Sequence, residues 1–398
     1  MQTVRRLASA LGVAGQAAGV AAHALGLDGG TPLHGPWCVQ VGVSDACDHR
    51  CAMCPYHPPG RAAPADGFGG APPGVMSVAR FGALLDELAA LGSRYVDLVG
   101  RGEPLVHPHI ERLVRLAHER GFRVTMTSNA ARLTHERARA LVDAGLDGFR
   151  HSLHAASPEA YARVHDGEPP EAFARSLEQV RHLASLARGR PAVTASFTLS
   201  RLNYAELPAM VDVAASVGAE GAHFQHVILP DGPSDLALDA PAFERLRALA
   251  AVASERAAAH GLETNLETLT AEPPPYLAGP HVEPVPCYVG SYFAVVLGNG
   301  SVLPCCQTQT AVGSLEADGG FAAVWRGERY RAFREAARAL PAASPALASA
   351  ECDRCYFREQ NLALHNLLHP LARAGATRSE RRASPMRLLR ATGLVRRR

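Results

Sequence analysis

The chain has 398 residues, 47% hydrophobic and 20% charged, enough for two domains or for one barrel with an appendage. Its 40 basic residues nearly cancel 38 acidic ones, and a formal charge of +2 is not that of a protein built chiefly to grip nucleic acid. All 40 basic residues are arginine, so a lysine Schiff base and a lysine-containing phosphate loop are both excluded.

In chain order, residues 1–35 predict an amphipathic helical extension. Gln16 and His23 interrupt its apolar run, and no clear small-residue cleavage site marks an export signal. No stretch reaches the roughly 18–20 apolar residues of a membrane span, so a cytoplasmic protein is expected. Short apolar runs then alternate with helical patterns. Strands are expected at 39–44, 96–100, 123–129, 148–154, 193–200 and 223–228. Between them, Phe81, Leu84, Leu85, Leu88 and Leu91 share one helix face, as do Ile110, Leu113, Val114 and Leu116. Further helices fall at 136–144, after a cap at Thr134, at 171–186 and at 207–217. About six strand–helix repeats over residues 36–230 imply an α/β fold with a parallel sheet curled into a full or partial barrel. The Pro- and Gly-rich stretch 58–74 is a loop, and 231–280, with a helix over 241–260 and a proline cluster, predicts a helical linker. Residues 281–360 form a second unit holding five of the nine cysteines, and 361–398 a basic tail.

The cysteines stand at 38, 47, 51, 54, 287, 305, 306, 352 and 355. An odd number with CxxC pairs suits metal ligation in a reducing compartment better than a disulfide framework. Cys47, Cys51 and Cys54 follow the first strand and can direct three thiolates into one small space. A cubane iron–sulfur cluster takes one thiolate per iron, so three leave an iron open to a substrate or cofactor. The rival is a zinc site completed by His49 or His57, although zinc sites usually present two separate knuckles. Cys287, Cys305, Cys352 and Cys355 offer four thiolates, for zinc or for a closed second cluster. Gly298, Asn299 and Gly300 between apolar runs predict a hairpin returning Cys305 beside Cys287.

The CxxxCxxC loop with Tyr56 just behind it, and Gly102, Glu103 and Pro104 at the second strand's end, resemble the radical S-adenosylmethionine (radical SAM) enzymes. Asn129 and Ser152, at the ends of the third and fourth strands, extend the resemblance, which covers residues 38–230. It implies a (β/α)6 partial TIM barrel, active at its C-terminal rim, with a [4Fe-4S] cluster on Cys47, Cys51 and Cys54. S-adenosylmethionine would bind the open iron, with Glu103 taking its amino group and Asn129 and Ser152 contacting its ribose and carboxylate. Tyr56, Gly102 and Arg163 are further cofactor-site candidates, and Arg101 departs from the family by replacing a second glycine. Residues 281–360 resemble the SPASM or twitch auxiliary-cluster domains through Gly300-x4-Cys305, Gly313, Leu315, Trp325 and the closing Cys352-x2-Cys355. That implies one auxiliary [4Fe-4S] cluster on Cys287, Cys305, Cys352 and Cys355. The spacing looks especially like that of the butirosin-pathway amino-cyclitol dehydrogenase.

The implied chemistry is reductive cleavage of S-adenosylmethionine, fed by a flavodoxin or ferredoxin, and hydrogen abstraction from a substrate. Arg150 and His154 share parity with Ser152, and His223 and Gln225 (or else His226) alternate on the sixth strand, so these are candidate substrate contacts. Such polar residues suit oxidation or epimerisation of a small carbohydrate- or cyclitol-like metabolite. A ribosomally made peptide or a protein is the alternative substrate, and a non-catalytic zinc-binding interaction protein the alternative class. Cys306, left over by the ligand count, is either a hydrogen-atom donor or an inert small hydrophobe.

Overall fold

The computed structural model describes residues 32, 34–60, 73–187, 189–229, 234–278 and 285–340, and beyond them 342, 344–347, 350, 352, 355, 357, 361, 362, 364 and 365. Most of the N-terminal extension and the arginine-rich tail lie outside these residues.

Strands β1 (Cys38–Val41), β2 (Tyr95–Leu98), β3 (Arg123–Ser128), β4 (Gly148–Ser152), β5 (Ala192–Leu199) and β6 (Gly221–His226) pair in parallel in that order. Helices α1 (Val78–Ala90), α2 (Ile110–Glu119), α3 (His135–Asp143), α4 (Pro158–Val164), α5 (Pro170–Leu186) and α6 (Leu207–Ser216) connect them. The caps explain several of the helix starts. Ser77, Thr134 and Ser157 each place a hydroxyl oxygen on the backbone N–H three residues later. One strand parity packs outward. Val39, Val41, Val96, Leu98, Val124, Met126, Phe149 and Val193 meet Leu84, Leu85, Leu88, Leu113, Val114, Leu141 and Val180 of the helices in one core. The other parity, polar almost throughout, faces the concave interior.

The described part of the expected linker 231–280, residues 234–278, packs onto the barrel. Helix α7 (Ala240–His260), capped by Asp239, packs Phe243, Leu246, Ala250 and Ala253 against Leu207, Met210 and Val211 of α6. It then feeds β7 (Glu263–Thr264), a seventh parallel strand beside β6. The second cysteine region is likewise joined to the sheet. Strand β8 (Phe293–Val296) pairs in parallel with β1, with Cys38 opposite Phe293, and turns into β9 (Ser301–Leu303) and β10 (Gly313–Ser314). All four β8 residues are buried, as a strand with neighbours on both sides requires, and β8 covers the β1 edge that would otherwise stay open. Gly300 sits at φ +88° in the predicted hairpin, a conformation that favours glycine. Helices α8 (Phe321–Arg326) and α9 (Glu328–Arg338) close this side, with the Arg334 guanidinium carbon 4.2 Å from the ring centroids of both Trp325 and Tyr330.

Candidate functional site

The three-cysteine loop leaves β1 and is seated on the turn after β2 by close backbone contact. A Cβ at Gly102 would stand 2.5 Å from the Ser44 carbonyl oxygen and overlap that of Ala46; one at Gly100 would stand 2.5 Å from Gly42 Cα. Only glycine fits this cradle, and the Glu103 N–H seals it by donating to the Ala46 carbonyl at 2.9 Å. The cysteine loop is thereby locked to the residues expected to hold the cofactor.

Glu103 is 4% exposed. Its Oε1 accepts from Ser128 Oγ (2.7 Å) and the Leu105 N–H (2.8 Å), and its Oε2 from the Asn129 N–H (2.9 Å). Burial pushes its pKa up to about 7 against these hydrogen bonds. An ionised carboxylate has about four acceptor directions, so one on Oε2 is left for an incoming donor. Asn129 is held by Asp48, whose Oδ1 accepts from Asn129 Nδ2 at 2.9 Å while Oδ2 accepts from Arg132 Nε at 2.7 Å. The chain then turns through Ala130 at φ +63°, and beyond β4 through His154 at φ +57°. Left-handed non-glycine residues at two successive strand ends mark a rim whose geometry the surroundings impose.

Cys47, Cys51 and Cys54 are half-buried and near enough to disfavour one another's ionisation. Burial is the first cause raising all three thiols, with Cys47 pushed to about 12. Bound metal reverses that preference, because a coordinating thiol is deprotonated outright. The His57 N–H donates to Cys54 Sγ at 3.3 Å, which leaves the His57 backbone supporting the loop. A short antiparallel ribbon, Arg50–Cys51 against His165–Asp166, brings His165 Nδ1 to 3.1 Å from Cys51 Sγ. His165 Nε2 faces the Leu153 carbonyl at 3.1 Å; a carbonyl only accepts, so Nδ1 is left to accept from the thiol. The ligand atoms of His49, Cys51 and His165 lie within 4.8 Å of one another. His165 carries no local motif, and sequence reasoning missed it.

The second set also converges. Cys287, Cys305, Cys352 and Cys355 bear on one another electrostatically, and Cys287 is pushed up to about 12, chiefly by burial. The Cys306 thiol lies against that of Cys305, with which it shares a hydrogen bond, and also bears on Tyr56 and Arg101. Arg101, 6% exposed, is the hinge between the two cysteine sites. Its guanidinium carbon stands 5.1 Å from the Tyr56 ring centroid, and its Nη2 donates to the Thr308 carbonyl at 3.3 Å. The residue that departs from the family pattern therefore ties the first loop to the auxiliary region.

Other candidates separate. Ser152, Arg150, His223 and Gln225 share the inward parity; Gln225 Nε2 donates to Thr198 Oγ1 at 2.9 Å, and burial followed by Arg150 lowers the His223 pKa to about 4. His226 points outward, its Nε2 on the Leu269 carbonyl. His154 is half-buried and clamps the neighbouring strand. Its left-handed backbone breaks the strand parity, and its Nδ1 accepts from the Thr198 N–H at 2.9 Å. Arg163 is exposed on α4 and donates to the Leu202 carbonyl, the part of a surface-helix arginine that ties down a neighbouring loop.

A partial parallel barrel with three thiols at its C-terminal rim and four more beside them is the framework of an iron–sulfur protein. The Radical SAM superfamily model matches residues 41–213 and the SPASM iron–sulfur cluster-binding domain model residues 287–356, so the chain carries a radical SAM domain followed by a SPASM domain. The first domain implies S-adenosylmethionine with a [4Fe-4S] cluster, and the second an auxiliary iron–sulfur cluster. The donor sets fit both: three thiols beside a carboxylate with an open acceptor, and four thiols grouped together. Among similar proteins, a PqqA peptide cyclase of Ruegeria pomeroyi is 34% identical over 134 residues, 34% of each chain. A GTP 3′,8-cyclase of Chlorobaculum tepidum is 30% identical over 177 residues, 44% of this chain and 49% of the relative. These matches thus span only a third to a half of the relatives' length. The structure of Streptococcus suis SuiB bound to its precursor peptide SuiA superposes with a TM-score of 0.58 at 15% identity, over 86% of this chain and 77% of that one. That is a likeness of fold. Among the described residues no helix is long and apolar enough to cross a membrane.

Proposed function

We propose that the protein is a radical SAM enzyme that modifies a ribosomally made peptide. The observation that carries this is the similarity to a peptide cyclase in a chain that carries both a three-thiol rim and a four-thiol auxiliary site. Cys47, Cys51 and Cys54 hold the first cluster, and Cys287, Cys305, Cys352 and Cys355 the second. Reductive cleavage of bound S-adenosylmethionine, fed by a small electron carrier such as flavodoxin or ferredoxin, supplies the 5′-deoxyadenosyl radical that removes a substrate hydrogen. The chain's own part is positioning. Glu103 accepts from the cofactor's amino group, Asn129 and Ser152 border its ribose, and Arg101 with Tyr56 keeps the auxiliary site against the rim. The peptide reading displaces the carbohydrate-like metabolite suggested by the polar inward residues, because a peptide cyclase and a mycofactocin maturase stand among the relatives.

The test is anaerobic reconstitution, followed by S-adenosylmethionine, a reductant and the short peptides encoded beside the gene. We expect 5′-deoxyadenosine together with a peptide that has lost hydrogen or gained a cross-link by mass spectrometry. Release of 5′-deoxyadenosine with unmodified peptides, alongside oxidation of an aminocyclitol, would return the assignment to a small metabolite.

A further inference from the structure

Deepening the peptide reading, on which it rests, we infer that Arg150 anchors a carboxylate of the substrate inside the barrel. Its neighbours Phe149 and His151 are 1% and 0% exposed on the outer face, so alternation turns Arg150 inward. It pairs in register with Thr127 and Thr194, in a strand flanked by β3 and β5. Yet its charge bears on Cys38 of β1, Tyr95 of β2 and His223 of β6, none of them its sheet neighbours. A side chain on β4 reaches all three only by projecting into the concave interior. Gly148 and Gly221, on the same parity, carry no side chain into that space.

Arg150 is exposed there, and among the described residues it has neither a hydrogen bond nor a carboxylate within 4.0 Å. The interior carboxylate, Asp97, is held by Thr125 Oγ1 at 2.6 Å and is 8% exposed. A second guanidinium, Arg123, lies 5.6 Å from the Tyr95 ring centroid. Among the described residues, two guanidiniums and one carboxylate, itself held by Thr125, therefore share this space. Arg150 keeps the planar donor fork that matches a carboxylate in two parallel hydrogen bonds. A neutral hydroxylated ligand would leave that charge unmatched. The carboxylate belongs either to an Asp or Glu side chain or to the peptide's C-terminus.

Reconstituted wild-type, Arg150→Gln and Arg150→Lys proteins, matched in iron content and circular dichroism, are immobilised and offered heptapeptide pools with a central Glu or a central Gln. Each pool is supplied with a free or an amidated C-terminus, and retained peptides are identified by mass spectrometry. Separately, glutarate is tested for protecting Arg150 from phenylglyoxal. We expect a preference of roughly tenfold or more for the carboxylate-bearing pool, lost in Arg150→Gln and partly kept in Arg150→Lys. Preference for Glu regardless of amidation identifies a side chain, and dependence on a free end identifies the C-terminus. Glutarate protection with no peptide retained would uphold the carboxylate site and sink the peptide reading. Peptides retained without acidic preference, or with a preference that survives Arg150→Gln, would overturn the anchor and spare the peptide reading. Weaker S-adenosylmethionine binding in Arg150→Gln with peptide preference unchanged would reassign Arg150 to the cofactor and also overturn it.

Discussion

Glu103→Gln separates the cofactor role of this residue from its place in the fold. Burial raises the carboxyl from the ordinary glutamate value of about 4.5 to about 7. Its proton is therefore held more tightly in the folded chain than in the unfolded one. The resulting stability is full at low pH and is lost as pH rises through about 7, where the ionised form costs the fold about 3 kcal/mol. Glutamine removes that cost. It also turns an amide N–H toward one of the three donors, most simply the Asn129 N–H, and gives up about 1–3 kcal/mol. The two effects nearly cancel above neutrality, so unfolding free energy should change by no more than about 1–2 kcal/mol. Affinity for S-adenosylmethionine should not escape so lightly. A charge-assisted contact of about 1.5–3 kcal/mol lost from the open acceptor on Oε2 weakens binding roughly 10- to 150-fold at pH 8. Below pH 7 the wild-type carboxyl is protonated, so its affinity should fall about tenfold per pH unit while the variant's stays flat. Anaerobic equilibrium dialysis from pH 5.5 to 8, with iron measured at each point, reads both. Equal affinities and parallel pH profiles at equal iron content would refute the reasoning.

Alanine at Cys47, Cys51 and Cys54 together should lower reconstituted iron from about eight to about four per chain and abolish 5′-deoxyadenosine formation; stoichiometric zinc without broad visible absorption in the wild type would remove the enzyme reading. Cys305→Ala should lose the auxiliary irons and Cys306→Ala should keep them, by iron analysis and electron paramagnetic resonance; the reverse pattern would exchange the two neighbours' roles. Gly102→Ala should destabilise the fold by about 1–3 kcal/mol in chemical denaturation, since its Cβ meets the Ser44 and Ala46 carbonyls, and should reduce iron incorporation as the cysteine loop shifts. Normal stability and iron in that variant would show that the loop relaxes freely.

Much of the fold was legible from residue order. Alternating apolar runs located the six barrel strands to within a few residues, and Thr134 marked a helix start, because side-chain periodicity and capping are local effects. The CxxxCxxC loop, the four later cysteines and the Gly298–Gly300 hairpin were visible for the same reason: spacing along the chain limits where thiols and turns can go. Pairings between distant segments were not visible. The lone segment Phe293–Val296 is buried on both sides, and nothing in it names β1 as its partner. A proline-bounded helix resembles a linker until α6 offers it a complementary apolar face. Inward or outward facing on β6 could not be chosen from alternating polar residues, and sheet register with β5 places His223 inside and His226 outside. His165 reaches Cys51 across 114 residues through a two-residue ribbon, and Arg101 becomes the link between the cysteine sites only because Thr308 and Tyr56 are folded onto it. Local periodicity and ligand spacing are properties of the chain, whereas burial, register and the neighbours of a charge arise only when segments far apart in sequence exclude water together.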